Sequence, residues 1–153
     1  MLDPLRPASG DAFLGFDYGT KHIGVAVGQR LTGIASPLGT VRVLQNKPDW
    51  AAIEKFVAEW RPAGLVIGVA YQADGSENPI TQSMLRFGRQ LEGRFRLPVH
   101  AMDETLSTFE SRQMLYGDLQ VKRKTYLAAK DALAAQRILQ SWLNMTARHE
   151  TPA

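Results

Sequence analysis

Gly64-Leu65-Val66-Ile67-Gly68-Val69-Ala70 is apolar from end to end, the composition of a central strand covered on both faces. Just before it, Trp50, Ile53, Phe56, Val57 and Trp60 recur at three- and four-residue steps between Asp49, which can cap a helix, and Pro62, which ends one. Just after it, Asn78-Pro79 forms a cap and first-turn pair, and Ile80, Met84, Phe87, Leu91 and Phe95 make a second helical stripe. Helix, buried strand and helix in succession predict a layered α/β domain.

Upstream, Phe13-Leu14-Gly15-Phe16 and Ile23-Gly24-Val25-Ala26-Val27-Gly28 read as two strands in close succession, with a third within Ile34 to Val43. The second alternates bulky and tiny residues, so Gly24, Ala26 and Gly28 form a face that a helix or another backbone could approach closely. Downstream, a strand over Leu97 to Met102 leads to Ser107-Thr108-Phe109-Glu110, a capping-box pattern whose helix stops near Gly117. A basic connection holding Lys122, Arg123 and Lys124 precedes a last helix to about Leu143. The order β-β-β-α-β-α-β-α-α predicts a ribonuclease-H-like three-layer domain over 12–144: a mixed five-stranded sheet, three strands antiparallel and then two parallel, flanked by helices. Residues 1–11 and 145–153 read as flexible tails.

A chain of 153 residues suits one hydrophobic core. Its 18 basic against 15 acidic residues give a mild positive balance that suits an anionic partner. The absence of cysteine excludes disulfides, thiolate metal sites and thiol nucleophiles, and fits a reducing cytoplasm. Met1 to Ala12 holds no continuous apolar run, so a secretory signal or membrane span is not expected there.

Acidic residues at three places along the chain stand out. Asp17 ends the first strand on the parity of Phe13 and Gly15, which places it at the strand's carboxyl edge; an Asp bonding its own turn is the alternative. Asp103 and Glu104 end the last strand at the same edge if the two strands run parallel, and Ser107 already offers a cap, so that helix entry does not need both acids. Asp131 lies on one stripe with Leu127, Ala134 or Ala135, Ile138 and Trp142, so a carboxylate interrupts an apolar face. Such a group needs a metal, a hydrogen-bond network or a paired lysine or arginine.

Carboxylates gathered at one sheet edge without histidine or cysteine spacing favour Mg2+ or Mn2+ and phosphate chemistry. Two cations roughly 3.5–4 Å apart could activate a water and stabilise a departing phosphodiester oxygen. Glu104 faces a geometric hurdle: its strand is expected two steps from the first, on the order of 10 Å away. Thr20 and Lys21 could touch a phosphate or simply serve the turn, and Lys122, Arg123, Lys124 and Lys130 could guide a nucleic-acid strand or form a solvated basic face. His22, His100 and His149 show no ligand spacing and read as structural or exposed.

Phe16-Asp17-Tyr18-Gly19-Thr20-Lys21-His22-Ile23-Gly24-Val25-Ala26, Asp103-Glu104-Thr105-Leu106-Ser107-Thr108 and Lys130-Asp131-Ala132-Leu133-Ala134-Ala135-Gln136-Arg137-Ile138-Leu139-Gln140 together resemble the YqgF family, also called RuvX and labelled Holliday junction resolvase. The likeness runs in order over about residues 12 to 144. It implies a ribonuclease-H-like metal-dependent nuclease with Asp17, Glu104 and Asp131 as catalytic carboxylates, those three and Asp103 as metal ligands, and Mg2+ or Mn2+ as cofactor. It further implies a role in trimming the 5′ end of precursor 16S ribosomal RNA, with RNA as the favoured partner, a DNA junction as the second and a monomer or homodimer as the working unit. Thr105 stands where the family usually has arginine, Gly68-Val69-Ala70 where it usually has Gly-Leu-Pro, and His22 where a basic residue is commoner.

Two further readings are open. Asp17-Tyr18-Gly19-Thr20 also resembles the first phosphate motif of actin-like ATPases, but those use two such domains and a second glycine-rich phosphate loop is missing here. A non-catalytic RNA-binding assembly factor would keep the fold without cleavage.

Overall fold

The computed structural model describes residues 11–104 and 123–150, with the side chains of the last helix described over 130–147. The elements are β1 (Ala12–Tyr18), β2 (His22–Gln29), β3 (Ile34–Leu44), β4 (Lys47–Pro48), α1 (Trp50–Trp60), β5 (Gly64–Val69), α2 (Pro79–Phe95), β6 (Val99–Asp103) and α3 (Arg123–Glu150). Sheet order is β4-β3-β2-β1-β5-β6. The pairs β1–β2, β2–β3 and β3–β4 are antiparallel, while β1–β5 and β5–β6 are parallel. This is the expected ribonuclease-H-like mixed sheet with one correction: six strands replace five. The added β4 exists because Gln45 and Asn46 both take left-handed backbone angles (φ 50 and 62) and fold Lys47–Pro48 back onto Val43–Leu44. A turn without glycine gave no sequence signal.

Strand parity divides the core into two. Leu14, Phe16, Ile23, Val25, Val41, Leu65, Ile67 and Val69 point to the layer of α1 and α2, where Ile53, Phe87 and Leu91 are buried. Phe13, Ala26, Ala35 and Val66 point to α3, meeting Ala135, Ile138, Leu139 and Trp142. The small face of β1 and β2 lets α3 sit unusually close. A Cβ on Gly24 would lie 1.8 Å from the Asp131 carbonyl oxygen, and one on Gly15 would lie 2.8 Å from Leu139 Cβ. The close approach foreseen for the tiny residues is therefore that of α3.

Asp49 caps α1 by accepting from Ala52 N–H (3.3 Å). Asn78 and Thr81 form a reciprocal capping box at α2 with Pro79 in its first turn. Buried Thr81 also donates to the Ala70 carbonyl oxygen, which ties the start of α2 to the exit of β5. On the far flank, Gln140 accepts from Ala35 N–H (2.9 Å) and donates to the Gly33 carbonyl (2.7 Å), while Gln136 donates to the Ala35 carbonyl (3.0 Å). These side chains satisfy backbone groups on a stretch of β3 that β4 does not reach.

The last helix departs from expectation at both ends. It starts at Arg123, so Arg123 and Lys124 belong to the helix instead of a preceding connection, and it continues to Glu150 beyond Leu143. Its apolar stripe persists through Trp142 and Leu143, and the following residues contain no proline or glycine to stop it before 150. The expected helix from Ser107, together with Thr105 and Lys122, lies outside the described residues.

Candidate active site

Asp17 sits near the carboxyl end of β1 on the face toward α3, opposite Gly24 of β2. Gly19 makes the following turn tight, since a Cβ there would lie 2.6 Å from the His22 carbonyl oxygen. Glu104 follows β6 directly, and its N–H donates to the Val69 carbonyl (3.1 Å), which extends the β5–β6 pairing to the site. Its side chain is buried, at 2% exposure, in a position where an isolated charge would be costly. Asp131, partly buried on α3, is brought over the sheet by the contact of its own carbonyl with Gly24.

The hurdle facing Glu104 is solved by Gly68. β5 lies between β1 and β6, and a side chain at position 68, which faces α3, would block the way. Gly68 has none, and a Cβ built there would fall 2.8 Å from both Cδ and Oε2 of Glu104. The Glu104 carboxyl thus crosses above Gly68 and hydrogen-bonds the Asp17 carboxyl. Two carboxylates can share such a bond only when one carries the proton.

The electrostatics agree. Burial, the Glu104 charge, the hydrogen bond to Glu104 and the Asp131 charge all hold the Asp17 carboxyl well above the usual carboxylate range, with Lys130 opposing them. Burial also raises Asp131, against the opposing charges of Lys130 and His22. An acidic centre with cations at its rim therefore occupies a cavity of about 560 Å³. Tyr18, Ile80 and Met84 make an apolar side, and Thr20, Lys21, His22 and Lys130 a polar one.

The structure brings Asp17, Glu104, Asp131, Thr20, Lys21 and Lys130 to this cavity and leaves Asp103 out. Asp103 pairs with Val69, on the side of α1 and α2, and is exposed. Adjacent strand residues point to opposite faces, so only one of Asp103 and Glu104 could enter. Arg123 and Lys124 lie in the first turn of α3, their side chains and Lys122 outside the described residues. His22, read from sequence as structural or exposed, is exposed but lines the cavity close enough to influence Asp131. Its parity with Gly24, which faces α3, was the available signal. Ala70, where the related motif carries proline, donates its N–H to Met84 Sδ (3.3 Å), a bond proline could not make.

Among the described residues, no three acidic or imidazole side chains are gathered tightly enough to form a ready-made cation cage. The donors nevertheless fit a hard divalent cation. All are carboxylate oxygens, and the burial and neighbouring acidic charges that hold the Asp17 carboxyl well above the usual carboxylate range are what a cation would relieve.

The profile of the family described as RuvX, Holliday junction resolvase, matches residues 11–145. A Methylococcus capsulatus protein named "Putative pre-16S rRNA nuclease" is 53% identical over 145 residues, covering 95% of this chain and 96% of its own. A Pseudomonas putida protein of the same name is 46% identical over 133 residues, covering 85% and 92%. Two solved structures share the fold. The T. thermophilus RuvC complex with a Holliday junction substrate has a TM-score of 0.54 at 20% identity, covering 92% of this chain and 97% of that one. The fowlpox virus resolvase complex with junction DNA has a TM-score of 0.55 at 10% identity, covering 88% and 98%. With the fold, the acidic centre and the match over 11–145 in agreement, this chain belongs to the RuvX family.

Proposed function

We propose that the chain is a metal-dependent nuclease that hydrolyses RNA phosphodiester bonds during 5′-end maturation of precursor 16S ribosomal RNA. The observation that carries this reading is the meeting of half-buried Asp17, buried Glu104 and half-buried Asp131 in one cavity, a crowding of carboxylates that a cation would relieve. The names of relatives at 46–53% identity support RNA as substrate.

In this reading Asp17, Glu104 and Asp131 hold Mg2+ or Mn2+, which supplies an acidified water and charge neutralisation at the phosphate. The rest falls to the protein's own groups. Lys21 and Thr20 hold the phosphate at the mouth, while Lys130 and His22 balance the acidic centre so that a polyanion can approach. Tyr18, Ile80 and Met84 exclude bulk water from one side and strengthen those interactions. Gly68 leaves Glu104 room to stay aligned. Asp103 falls outside this assignment because of its position in β6.

Among the described residues no helix is long and apolar enough to cross a membrane. The absence of cysteine supports a reducing, cytoplasmic setting for the reaction. The second reading, a DNA junction resolvase, draws on the family description and on the fold shared with junction-bound proteins. It requires two sites disposed for paired cuts.

The test is cleavage of a labelled 16S precursor leader and of a four-way DNA junction with Mg2+ or Mn2+, using wild type, Asp17→Asn and Asp131→Asn purified in parallel. Metal-dependent cutting of the leader, lost in both variants, is expected. Symmetric junction cutting with an inert leader would replace the first reading by the second. Tight RNA binding without cleavage of either substrate would leave a non-catalytic assembly factor.

A further inference from the structure

The strands leading away from Asp17 toward the β4 edge carry cations that the cavity does not use. Gly24, opposite Asp17, pairs in turn with Thr40, and His22 pairs with Arg42 two residues further along. Val41 and Val43 are buried toward α1 and α2, so Arg42 points to the same face as Gly24 and Asp17. Leu44 shares that parity and pairs with Lys47 across the two-residue turn. The Val43 N–H donates to the Lys21 carbonyl (2.9 Å), which fastens this hairpin to the turn at the cavity mouth.

Arg42, Leu44 and Lys47 are all exposed, Leu44 at 64%. Neither cation makes an ion pair among the described residues, and the neighbouring acid Asp49 is engaged in capping α1. An apolar side chain held open between two uncommitted cations matches a ligand with alternating anionic and flat apolar parts. Water satisfies the cations but gains nothing from Leu44; a nucleic-acid strand offers phosphates to the first and a base or sugar face to the second.

We propose that the outer face of the β3–β4 hairpin is a second nucleic-acid contact, with Arg42 and Lys47 on phosphates and Leu44 against a base or sugar. It deepens the nuclease reading and rests on it. Two strand spacings and two residues of rise put Arg42 about 12 Å from Asp17, and Lys47 lies one strand further out. A single strand lying across the site would reach this contact a few nucleotides beyond the bond that is cut. The hairpin would hold the flanking strand while Lys21 and Lys130 hold the reacting phosphate.

The test measures binding of a fluorescein-labelled single-stranded leader RNA by anisotropy from 50 to 300 mM KCl, with Asp17→Asn as the full-length parent. Adding Arg42→Gln and Lys47→Gln should weaken binding about tenfold near 0.1 M salt and flatten the salt slope by about 1.4, or 0.7 per lost phosphate contact. Adding Leu44→Ser alone should weaken binding and leave the slope unchanged. The control adds Arg61→Asn and Arg96→Asn, which remove the same charge at the C-caps of α1 and α2, the opposite end of the sheet. Unchanged affinity and slope in the hairpin variant, or an equal loss in the control, would overturn the proposal. If wild type fails to cut the leader but the hairpin variant shows the predicted loss, the nuclease reading fails and the contact stands.

Discussion

Replacing Gly68 with alanine tests how Glu104 reaches the site. The new methyl would sit 2.8 Å from Cδ and Oε2 of Glu104 and 2.5 Å from Cδ1 of Ile138. Ile138 presents the end of a flexible side chain and can rotate aside. The Glu104 carboxyl would have to move by roughly 0.7–1.2 Å to regain ordinary carbon contact at 3.5–4.0 Å. A displacement of about 1 Å in a reacting constellation costs on the order of 100-fold in rate. The fold should tolerate the change, because Gly68 has no left-handed backbone angle and alanine lowers unfolded-chain entropy by about 0.4–1 kcal/mol. That gain offsets part of an overpacking cost of about 1–3 kcal/mol. The assay is kcat/KM for leader cleavage beside a thermal melt. A melting shift of a few degrees with a large loss of cleavage is expected. Cleavage within threefold of wild type would refute the crossing above Gly68.

Asp17→Asn should stabilise the metal-free protein at neutral pH. The folded carboxyl titrates above its unfolded counterpart, so its contribution is fully present below the unfolded value and is lost as pH rises through the folded one. Asparagine cannot ionise, so the variant's advantage should grow with pH, by about 1.4 kcal/mol per unit between the two values; denaturant titrations at pH 4 to 8 showing a variant that weakens relative to wild type with pH would count against it. Gly24→Ala places a methyl 1.8 Å from the Asp131 carbonyl oxygen, so α3 must retreat by more than about 1 Å. Loss of several kcal/mol and of activity is expected, and a wild-type melting curve would contradict it. Gln140→Leu strips a partner from Ala35 N–H and from the Gly33 carbonyl, a cost of about 1–3 kcal/mol. Cleavage per folded molecule should stay unchanged, since these bonds lie on the far flank of the sheet; a specific loss of kcat would argue otherwise.

The architecture was legible wherever hydrophobic period and turn chemistry agreed. The apolar run at 64–70, the Asn78-Pro79 start and the stripes of α1 and α2 all correspond to elements of the structure. β4 was not legible, because Gln45-Asn46 turns without glycine and a two-residue strand has no period. The end of α3 was misjudged because polar composition after Leu143 resembles a tail as much as an exposed helix end. At the site, parity placed Asp17, and the interrupted stripe placed Asp131. Choosing between Asp103 and Glu104 required the β5–β6 register, which local pattern does not encode. The part played by Gly68 was hidden for a similar reason: a glycine in a buried strand reads as packing until the neighbouring strand's side chain is seen above it.

The central claim is that Asp17, Glu104 and Asp131 make one cation site, and isothermal titration of Mn2+ into the full chain tests it most directly. Binding to wild type and to Asp103→Asn, lost or strongly weakened in Asp17→Asn, Glu104→Gln and Asp131→Asn, is the predicted pattern. Absence of binding to wild type, or binding that survives Glu104→Gln while failing in Asp103→Asn, would contradict it.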